Sequence, residues 1–241
     1  MKILLTNDDG ISAIGLRALA EWSRKLGDVI VAAPKHEQSG RSHGIVLHQS
    51  YEIKEIPAFS DLGIVSVAVD ATPADCVRYM VDKYGASFDI VFSGINDGFN
   101  IGYDISYSAT CGAAFEANCA GIKAISFSAS RGTIPQITKH LDEVWEHINN
   151  NGYLDAADLL NVNIPVDHKG ILVTEQAGIF YRDHFVNVGG DMYKAQVYLT
   201  RDLRGKFDLR YDADAVLSGY CSITPLTVKK TDREALEKMK R

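Results

Sequence analysis

The sequence predicts an α/β protein with a mostly parallel sheet, and three features of the chain support that prediction. Apolar runs without polar alternation, at residues 3–5, 29–33 and 90–92, are typical of strands buried on both faces. The first two runs flank residues 11–26, where apolar side chains recur at helical spacing. Beyond Gly170 the chain changes to short segments rich in aromatic and β-branched residues, which favours a β-rich C-terminal extension.

The chain begins with a β-α-β unit, whose crossover should be right-handed and whose strands should therefore be parallel. Gly27 ends the first helix. Thr72 is expected to cap the next helix, with Pro73 in its first turn and Asp75 reaching back to the cap. The other predicted segments are extended chain at 45–56 and 64–69, strands at 89–96, 123–127 and 159–164, and helices from 111 onward and at 134–148.

A single domain of 241 residues is expected, with three parts. The α/β core should comprise about residues 1–169 and 216–228. Residues 170–215 should form a β-hairpin arm that packs on a second subunit, and residues 231–241 a terminal helix.

Composition argues against several classes of function. The formal net charge of -6, without any basic block, disfavours a general nucleic-acid-binding protein. The four cysteines lie far apart without a CxxC pair, so free thiols in a reducing cytoplasm are expected. The N-terminal residues lack a signal-peptide pattern, and no apolar run reaches the roughly 18 residues of a membrane span. We therefore expect a cytoplasmic protein whose partners are neither nucleic-acid polymers nor membranes.

Two adjacent carboxylates, Asp8 and Asp9, follow the first predicted strand. Ligands of open α/β sheets bind outside the carboxyl ends of the strands, so these acids lie where chemistry is usually done. Adjacent carboxylates repel each other, and a divalent cation would relieve that repulsion. The alternative is structural: an Asx turn ends the strand, and Asp9 caps the following helix.

Two further polar loops should meet the acidic pair at the same edge of the sheet. Ser39 lies in the loop at 34–44, and Asn96 ends the strand at 89–96. Carboxylate, hydroxyl and amide oxygens, with no local cluster of Cys or His, suit a hard cation such as Mg²⁺, Mn²⁺ or Ca²⁺ and disfavour zinc. A solvated surface turn is the alternative interpretation of the loop at 34–44.

A helix of small residues begins after Ser106, Ser108 and Thr110. Its hydroxyl-rich N-terminus offers N–H groups and a helix dipole to an anion such as phosphate. Helix capping by Ser or Thr explains the same residues, and the two roles are compatible.

Several polar and glycine-rich blocks recur along the chain in a defined order. They are Thr6-Asn7-Asp8-Asp9-Gly10, Gln38-Ser39-Gly40 after Pro34, Gly94-Ile95-Asn96 with Gly98, Asn100, Gly102 and Asp104, Tyr107-Ser108 with Gly112-Ala113-Ala114 and Glu116, Asn161-Val162-Asn163-Ile164-Pro165, and Gly219-Tyr220-Cys221-Ser222-Ile223-Thr224-Pro225-Leu226. Together they resemble the survival protein E (SurE) family of nucleotidases over nearly the whole chain. Each block alone is a weak signal, and their shared order makes the resemblance specific.

This resemblance implies a metal-dependent phosphatase of nucleoside 5′- or 3′-monophosphates, with short polyphosphate as a further substrate. The implied fold is a three-layer α/β/α sandwich on a Rossmann-like, mostly parallel sheet. One divalent cation per subunit, Mg²⁺ or Mn²⁺, would be held by the four residues that the polar loops also indicate: Asp8, Asp9, Ser39 and Asn96. Family members form dimers or tetramers partly through an exchanged C-terminal arm, so a homodimer or homotetramer is expected.

Asp8 and Asp9 are the expected catalytic residues of such an enzyme. Water would attack phosphorus in line, while the cation neutralises charge on the phosphate. The phosphate oxygens are expected to contact the first turn of the small-residue helix and the residues Asn7, Gly40, Ser108 and Thr110. A nucleophilic aspartate that forms a phospho-enzyme is the competing mechanism.

Two positions bear on this resemblance. The family pattern Tyr-Ser-Gly-Thr-Val-Gly corresponds to residues 107–112 of this chain, where Ala109 takes the place of the first glycine. This difference could change the turn or narrow the pocket. His43 follows the Ser39 loop, and a structural histidine with a satisfied partner is the favoured interpretation.

Two other classes of protein stay open. A phosphatase of the haloacid dehalogenase type needs Asp-x-Asp after the first strand, whereas Asp8 and Asp9 are adjacent. A trapped phospho-aspartate would favour that class. A non-catalytic nucleotide-binding module would bind nucleotide without metal dependence or phosphate release.

Overall fold

Strands and helices alternate along the chain in the computed structural model, which describes residues 1–199 and 207–240. In order they are β1 (Lys2–Thr6), α1 (Ile14–Ser23), β2 (Asp28–Pro34), β3 (Ile53–Glu55), β4 (Val65–Val69), α2 (Pro73–Tyr84), β5 (Ile90–Asp97), α3 (Ala109–Cys119), β6 (Lys123–Ala129), α4 (Ile134–Ile137), α5 (Leu141–Asn150), α6 (Tyr153–Ala156), β7 (Leu159–Ile164), β8 (Ile171–Val173), β9 (Tyr181–Gly189), β10 (Met192–Leu199), α7 (Asp212–Leu217), β11 (Cys221–Pro225) and α8 (Arg233–Met239). Single 3₁₀ turns span Ser60–Leu62, Gly102–Ser106 and Thr138–His140.

Nine strands form the central sheet, in the order β3-β4-β2-β1-β5-β6-β7-β11-β8. β1 lies between β2 and β5 and is parallel to both. The pairs β2–β4, β5–β6 and β6–β7 are parallel as well, whereas β3 and β11 run antiparallel to β4 and β7. The prediction of a mostly parallel sheet is confirmed. The carboxyl ends of β1, β2 and β5 meet at one edge, and so do the loops that follow them.

The sheet is covered by helices on both faces. Ile3 and Leu5 of β1 point to a core shared with α1 and α5, whereas Leu4 points to a core shared with α2 and α3. All three side chains are fully buried. An apolar run without alternation is what such a doubly covered strand requires. None of the helices within residues 1–199 and 207–240 combines the length and hydropathy of a membrane span.

Helix boundaries agree with the sequence where a local cap sets them. The Thr72 side chain accepts a hydrogen bond from the Asp75 N–H, and Asp75 accepts one from the Thr72 N–H, so the expected capping box is present. The helix predicted at 134–148 is interrupted by the 3₁₀ turn Thr138–His140. The Thr138 hydroxyl donates to the Pro135 carbonyl at 2.9 Å, and this local bond competes with the regular helix ladder.

The C-terminal extension is a hairpin of β9 and β10, which form a separate two-stranded antiparallel sheet. β8, at the start of the region expected to be an arm, instead pairs in parallel with β11 in the central sheet. Residues 200–206 of the expected arm and residue 241 of the expected terminal helix lie outside the described residues.

Candidate active site

The turn after β1 is tied to the loop after β2. The Asn7 side chain closes the turn by donating to the Gly10 carbonyl at 3.0 Å. The Asp8 carbonyl accepts a hydrogen bond of 2.7 Å from the Gln38 N–H. Gly10 has a φ of 100°, and an added Cβ would lie 3.5 Å from the Pro34 carbonyl oxygen. This conformation favours glycine, so the Asp8–Asp9 turn keeps its shape through Gly10.

Asp8 and Asp9 lie in an environment that opposes their ionisation. Asp8 is buried, and the Thr110 hydroxyl donates a hydrogen bond to its Oδ1. Burial raises the pKa of Asp8, although the bond from Thr110 acts in the opposite direction. Burial, followed by the charge of Asp8, raises the pKa of Asp9 to about 6. The charges of Asp97 and Glu37 contribute to the same shift, so negative charge is concentrated here.

The other two expected ligands lie on the loops beside this pair. The Asn96 amide nitrogen donates to the Gly98 carbonyl at 2.7 Å, which leaves the side-chain oxygen as the atom able to bind a cation. Ser39 is exposed, and its hydroxyl donates to Glu37 Oε1 at 2.8 Å. The Asp97 N–H bonds to the Asp9 carboxylate, which joins the loop after β5 to the acidic turn.

The chemistry of this donor set suits a hard divalent cation. Carboxylate, hydroxyl and amide oxygens are the groups that such cations prefer. Asn7 Oδ1 is buried, and it lacks a hydrogen-bond partner within the described part of the chain. A cation bound here would offset the mutual repulsion and the burial of the two carboxylates, which raise their pKa values.

The expected phosphate-binding residues lie in three places: Asn7 in the turn after β1, Ser108 and Thr110 at the start of α3, and Gly40 at the tip of the β2 loop. Ser108 is the N-cap of α3, where its hydroxyl accepts a hydrogen bond of 3.0 Å from the Cys111 N–H. Thr110 lies in the first turn and holds Asp8. Gly40 is exposed with a φ of 72° and has open space around it. Capping by Ser108 is thus observed, and it leaves the backbone N–H groups before Cys111 available to an anion.

Sequence reasoning missed two acids of the site, Glu37 and Asp97. Glu37 accepts from Ser39, and Asp97 fixes the β6–α4 connection by accepting from the Gly132 N–H at 2.6 Å. Both are sequence neighbours of expected ligands, so proximity in sequence was the available signal. His43 has a structural partner, since its Nε2 lies 2.6 Å from Glu116, whose pKa it lowers.

A network of asparagines on β7 holds the loop that follows β5. Asn161 and Asn163 donate to the Asn100 carbonyl at 2.7 and 3.0 Å, and the Asn100 N–H donates back to Asn163 at 2.9 Å. Ser126 and Ser128 complete the network by bonding to Asn161 and Asn100. The block Asn161-Val162-Asn163 is therefore structural, and it positions the chain beyond Asn96.

The chain is similar to known proteins over nearly its whole length. The family model described as survival protein SurE matches residues 3–183. A 5′-nucleotidase SurE from Thermoanaerobacter sp. (strain X514) is 38% identical, with 96% of this chain and 94% of the relative covered. A 5′-nucleotidase SurE 1 from Thermus thermophilus is 34% identical, with 98% and 96% covered. The crystal structure of the Aquifex aeolicus SurE protein matches with a TM-score of 0.80 at 34% identity, covering 100% of this chain and 98% of that one.

Proposed function

The chain belongs to the survival protein SurE family, and we propose that it is a cytoplasmic 5′-nucleotidase that hydrolyses nucleoside monophosphates with one divalent cation per subunit. The observation that carries the proposal is the acidic pair Asp8 and Asp9 at the carboxyl end of β1, with raised pKa values and oxygen donors on both neighbouring loops. Relatives that are named 5′-nucleotidase and align over nearly their full length support the reaction class. Nucleoside 3′-monophosphates and short polyphosphate are proposed as further substrates.

Four residues of this chain would hold the cation: Asp8, Asp9, Ser39 and Asn96. Mg²⁺ and Mn²⁺ are the proposed ions, because both accept oxygen ligands. When bound, a divalent cation neutralises charge on the phosphate oxygens during transfer.

The two aspartates have different surroundings, which suggests different tasks. Asp8 is buried and fixed by Thr110, so we assign it the anchoring of the site. Asp9 has greater access to solvent, and we assign it the orientation of the attacking water. Water attack is favoured over a phospho-aspartate at Asp8, because one oxygen of that carboxylate is already engaged by Thr110.

Substrate phosphate is proposed to bind between the acidic turn and the N-terminus of α3. The N–H groups of the first turn, that of Thr110 included, and the Ser108 hydroxyl would face its oxygens, with Asn7 and Gly40 on the other side. Thr110 would then serve the Asp8 carboxylate through its hydroxyl and the phosphate through its backbone N–H.

The β9–β10 hairpin is proposed as the arm through which the chain forms a homodimer or homotetramer. It lies within the expected arm region 170–215, of which β8 belongs to the central sheet, and it is attached to a core of about 1–169 and 216–228. Alternate residues on the two paired strands share a face, and three of them, Phe185, Tyr193 and Val197, are large, apolar and more than 60% exposed. A contiguous apolar face on an otherwise exposed hairpin is typical of a protein interface.

Mass measurement tests the arm. Phe185→Asp combined with Val197→Asp should convert the assembly to monomer in light scattering. His184→Asp, on the opposite face of β9, is the matched control and should leave the mass unchanged. A wild-type monomer, or a double variant of unchanged mass, would contradict this assignment.

Phosphate release tests the enzymatic proposal. Wild type should release phosphate from 5′-nucleoside monophosphates with Mg²⁺ or Mn²⁺ and lose activity in EDTA. Asp9→Asn should lower kcat at least about 10³-fold, because it removes a charge that organises the reacting phosphate. Asp28→Asn, exposed at the opposite edge of the sheet, should behave as wild type. Activity that survives both EDTA and Asp9→Asn would refute the proposal.

A further inference from the structure

A second polar cluster lies where α5 begins, apart from the acidic site. It consists of His140 at the end of the 3₁₀ turn, Glu143 in the first turn of α5, and His168 in the connection between β7 and β8. Three strand spacings separate β1 from β7, which at about 4.8 Å each amounts to roughly 14 Å. The cluster is therefore separate from Asp8 and Asp9, although it lies at the same edge of the sheet.

The three side chains converge on one point. Glu143 Oε2 lies 3.3 Å from His168 Nε2 and 3.6 Å from His140 Nδ1. One donor atom from each residue lies within 4.8 Å of the others. Ligands at about 2.0–2.2 Å from a tetrahedral cation are roughly 3.4 Å from each other. The observed spacing is therefore close to that of a coordination sphere.

Burial makes the arrangement unusual for a surface cluster. The His168 side chain is only 2% exposed, and neither ring nitrogen has a hydrogen bond of regular geometry in the described ranges, although Glu143 and the Gly170 backbone both contact the ring. Within the same ranges His140 Nε2 also lacks such a hydrogen bond. Buried polar atoms are normally paired, so a ligand that reaches these nitrogens would supply the partner that the protein does not.

The imidazoles are in a state suited to metal binding. Their ring centroids are 4.4 Å apart, a distance at which two positive charges would repel strongly. Burial lowers the pKa of His168, and the charge of His140 acts in the same direction, whereas the charge of Glu143 and hydrogen-bonding contacts with Glu143 and Gly170 oppose this shift. Neutral imidazole is the form that coordinates metals. The Glu143 side chain is 58% exposed, which gives the cluster an opening to solvent.

We propose that His140, Glu143 and His168 form a second metal site, which binds a borderline transition-metal cation such as Zn²⁺. Two imidazoles and one carboxylate, with a fourth position open to solvent, are a recurrent ligand set of this ion. The bound ion ties α5 to the β7–β8 connection and stabilises the fold. It differs in donor chemistry from the oxygen site at Asp8 and Asp9, so the two sites select different cations.

Zinc and cobalt titrations of the metal-free, full-length protein test the proposal. Asp9→Asn serves as the background, because it weakens the acidic site and leaves the histidine cluster intact. On this background Co²⁺ should give visible d–d absorption with one ion per chain, and Zn²⁺ should displace it. Glu143→Gln and His168→Gln should each weaken Zn²⁺ binding beyond the roughly 10–100-fold that loss of an outer-sphere partner causes.

Matched controls lie on the same helix. Glu146→Gln and His147→Gln change the same residue types outside the cluster and should bind Zn²⁺ as the background does. Zn²⁺ should raise the melting temperature of the background and of both controls, but not that of Glu143→Gln. Because Glu143 is exposed, this variant should keep its circular dichroism spectrum and remain informative even if His168→Gln fails to fold. Equal Zn²⁺ affinity in Glu143→Gln and Glu146→Gln, or no Zn²⁺ binding on the Asp9→Asn background, would overturn the proposal.

Discussion

Two groups of buried polar side chains lie along the same edge of the sheet, and they differ in how well their hydrogen bonds are satisfied. Around Asn100, the side-chain amides of Asn161 and Asn163 on β7 bond to the Asn100 backbone in the β5 loop, and Asn161 also accepts from Ser126 on β6. At Asp8 and Asp9 the acids have raised pKa values, and the Asn7 side-chain oxygen has no hydrogen-bond partner within the described residues. The first group holds the fold together, and the second is the proposed binding site. Polar groups whose hydrogen bonds are satisfied thus indicate the structural scaffold, and those whose hydrogen bonds are not satisfied indicate the candidate site.

The largest effect on stability is expected from breaking the satisfied group. Asn161→Ala removes the donor to the Asn100 carbonyl and leaves the Ser126 hydroxyl without its acceptor. The free energy of unfolding should fall by about 2–4 kcal/mol, because buried partners lose their bonds. Urea denaturation measures this loss. Asn149→Ala, at an exposed position of α5, is the control, and equal stability of the two variants would show that the network is not structural.

A smaller effect is expected at Thr110, whose hydroxyl bonds to Asp8 in the second group. Thr110→Val keeps the shape of the side chain but removes the hydroxyl that donates to Asp8. The pKa of Asp8 should rise further, and affinity for Mg²⁺ or Mn²⁺ should fall about 10–100-fold, the usual cost of losing such an orienting bond. Calorimetric titration gives the affinity. Unchanged affinity for the cation would mean that the hydrogen bond from Thr110 does not orient Asp8 for metal binding.

The smallest effect is a gain in stability when the unsatisfied group is neutralised. Burial and the charge of Asp8 raise the pKa of Asp9 from 3.8 to about 6 in the folded protein. Protonated Asp9 thus stabilises the metal-free fold below pH 4, and this contribution is lost as the pH rises through about 6. In EDTA at pH 7, Asp9→Asn should be more stable than wild type by about 1–2 kcal/mol, after allowance for partial solvent exposure.

Denaturation of both proteins at pH 4 and pH 7 checks this sign. The difference should vanish at pH 4, where wild-type Asp9 is protonated. Addition of Mg²⁺ at pH 7 should reverse the order, since the ion stabilises only the chain that binds it. If Asp9→Asn is instead less stable than wild type in EDTA at pH 7, then the ionised Asp9 carboxylate does not destabilise the metal-free fold.

Local patterns in the sequence were sufficient for the fold class and for the position of the acidic pair. The unbroken apolar run of β1 requires cover on both faces, and the Thr72–Asp75 capping box begins a helix through bonds within four residues. Parallel strands place their carboxyl ends at one edge, so the loops bearing Asp8, Ser39 and Asn96 had to be neighbours.

Contacts between distant segments decided what the sequence could not. The bond from Thr110 to Asp8, the pairing of β8 with β11, and the junction of His140 with His168 each join parts of the chain that are far apart in sequence. Hydrogen-bond satisfaction and pKa depend on which groups surround a side chain in space, and periodicity along the chain carries no information on that. The sequence alone therefore determined the strands, the caps and the polar loops. Only the tertiary structure decided which polar atoms of the described residues have hydrogen-bond partners and which do not, because burial is set by the whole fold.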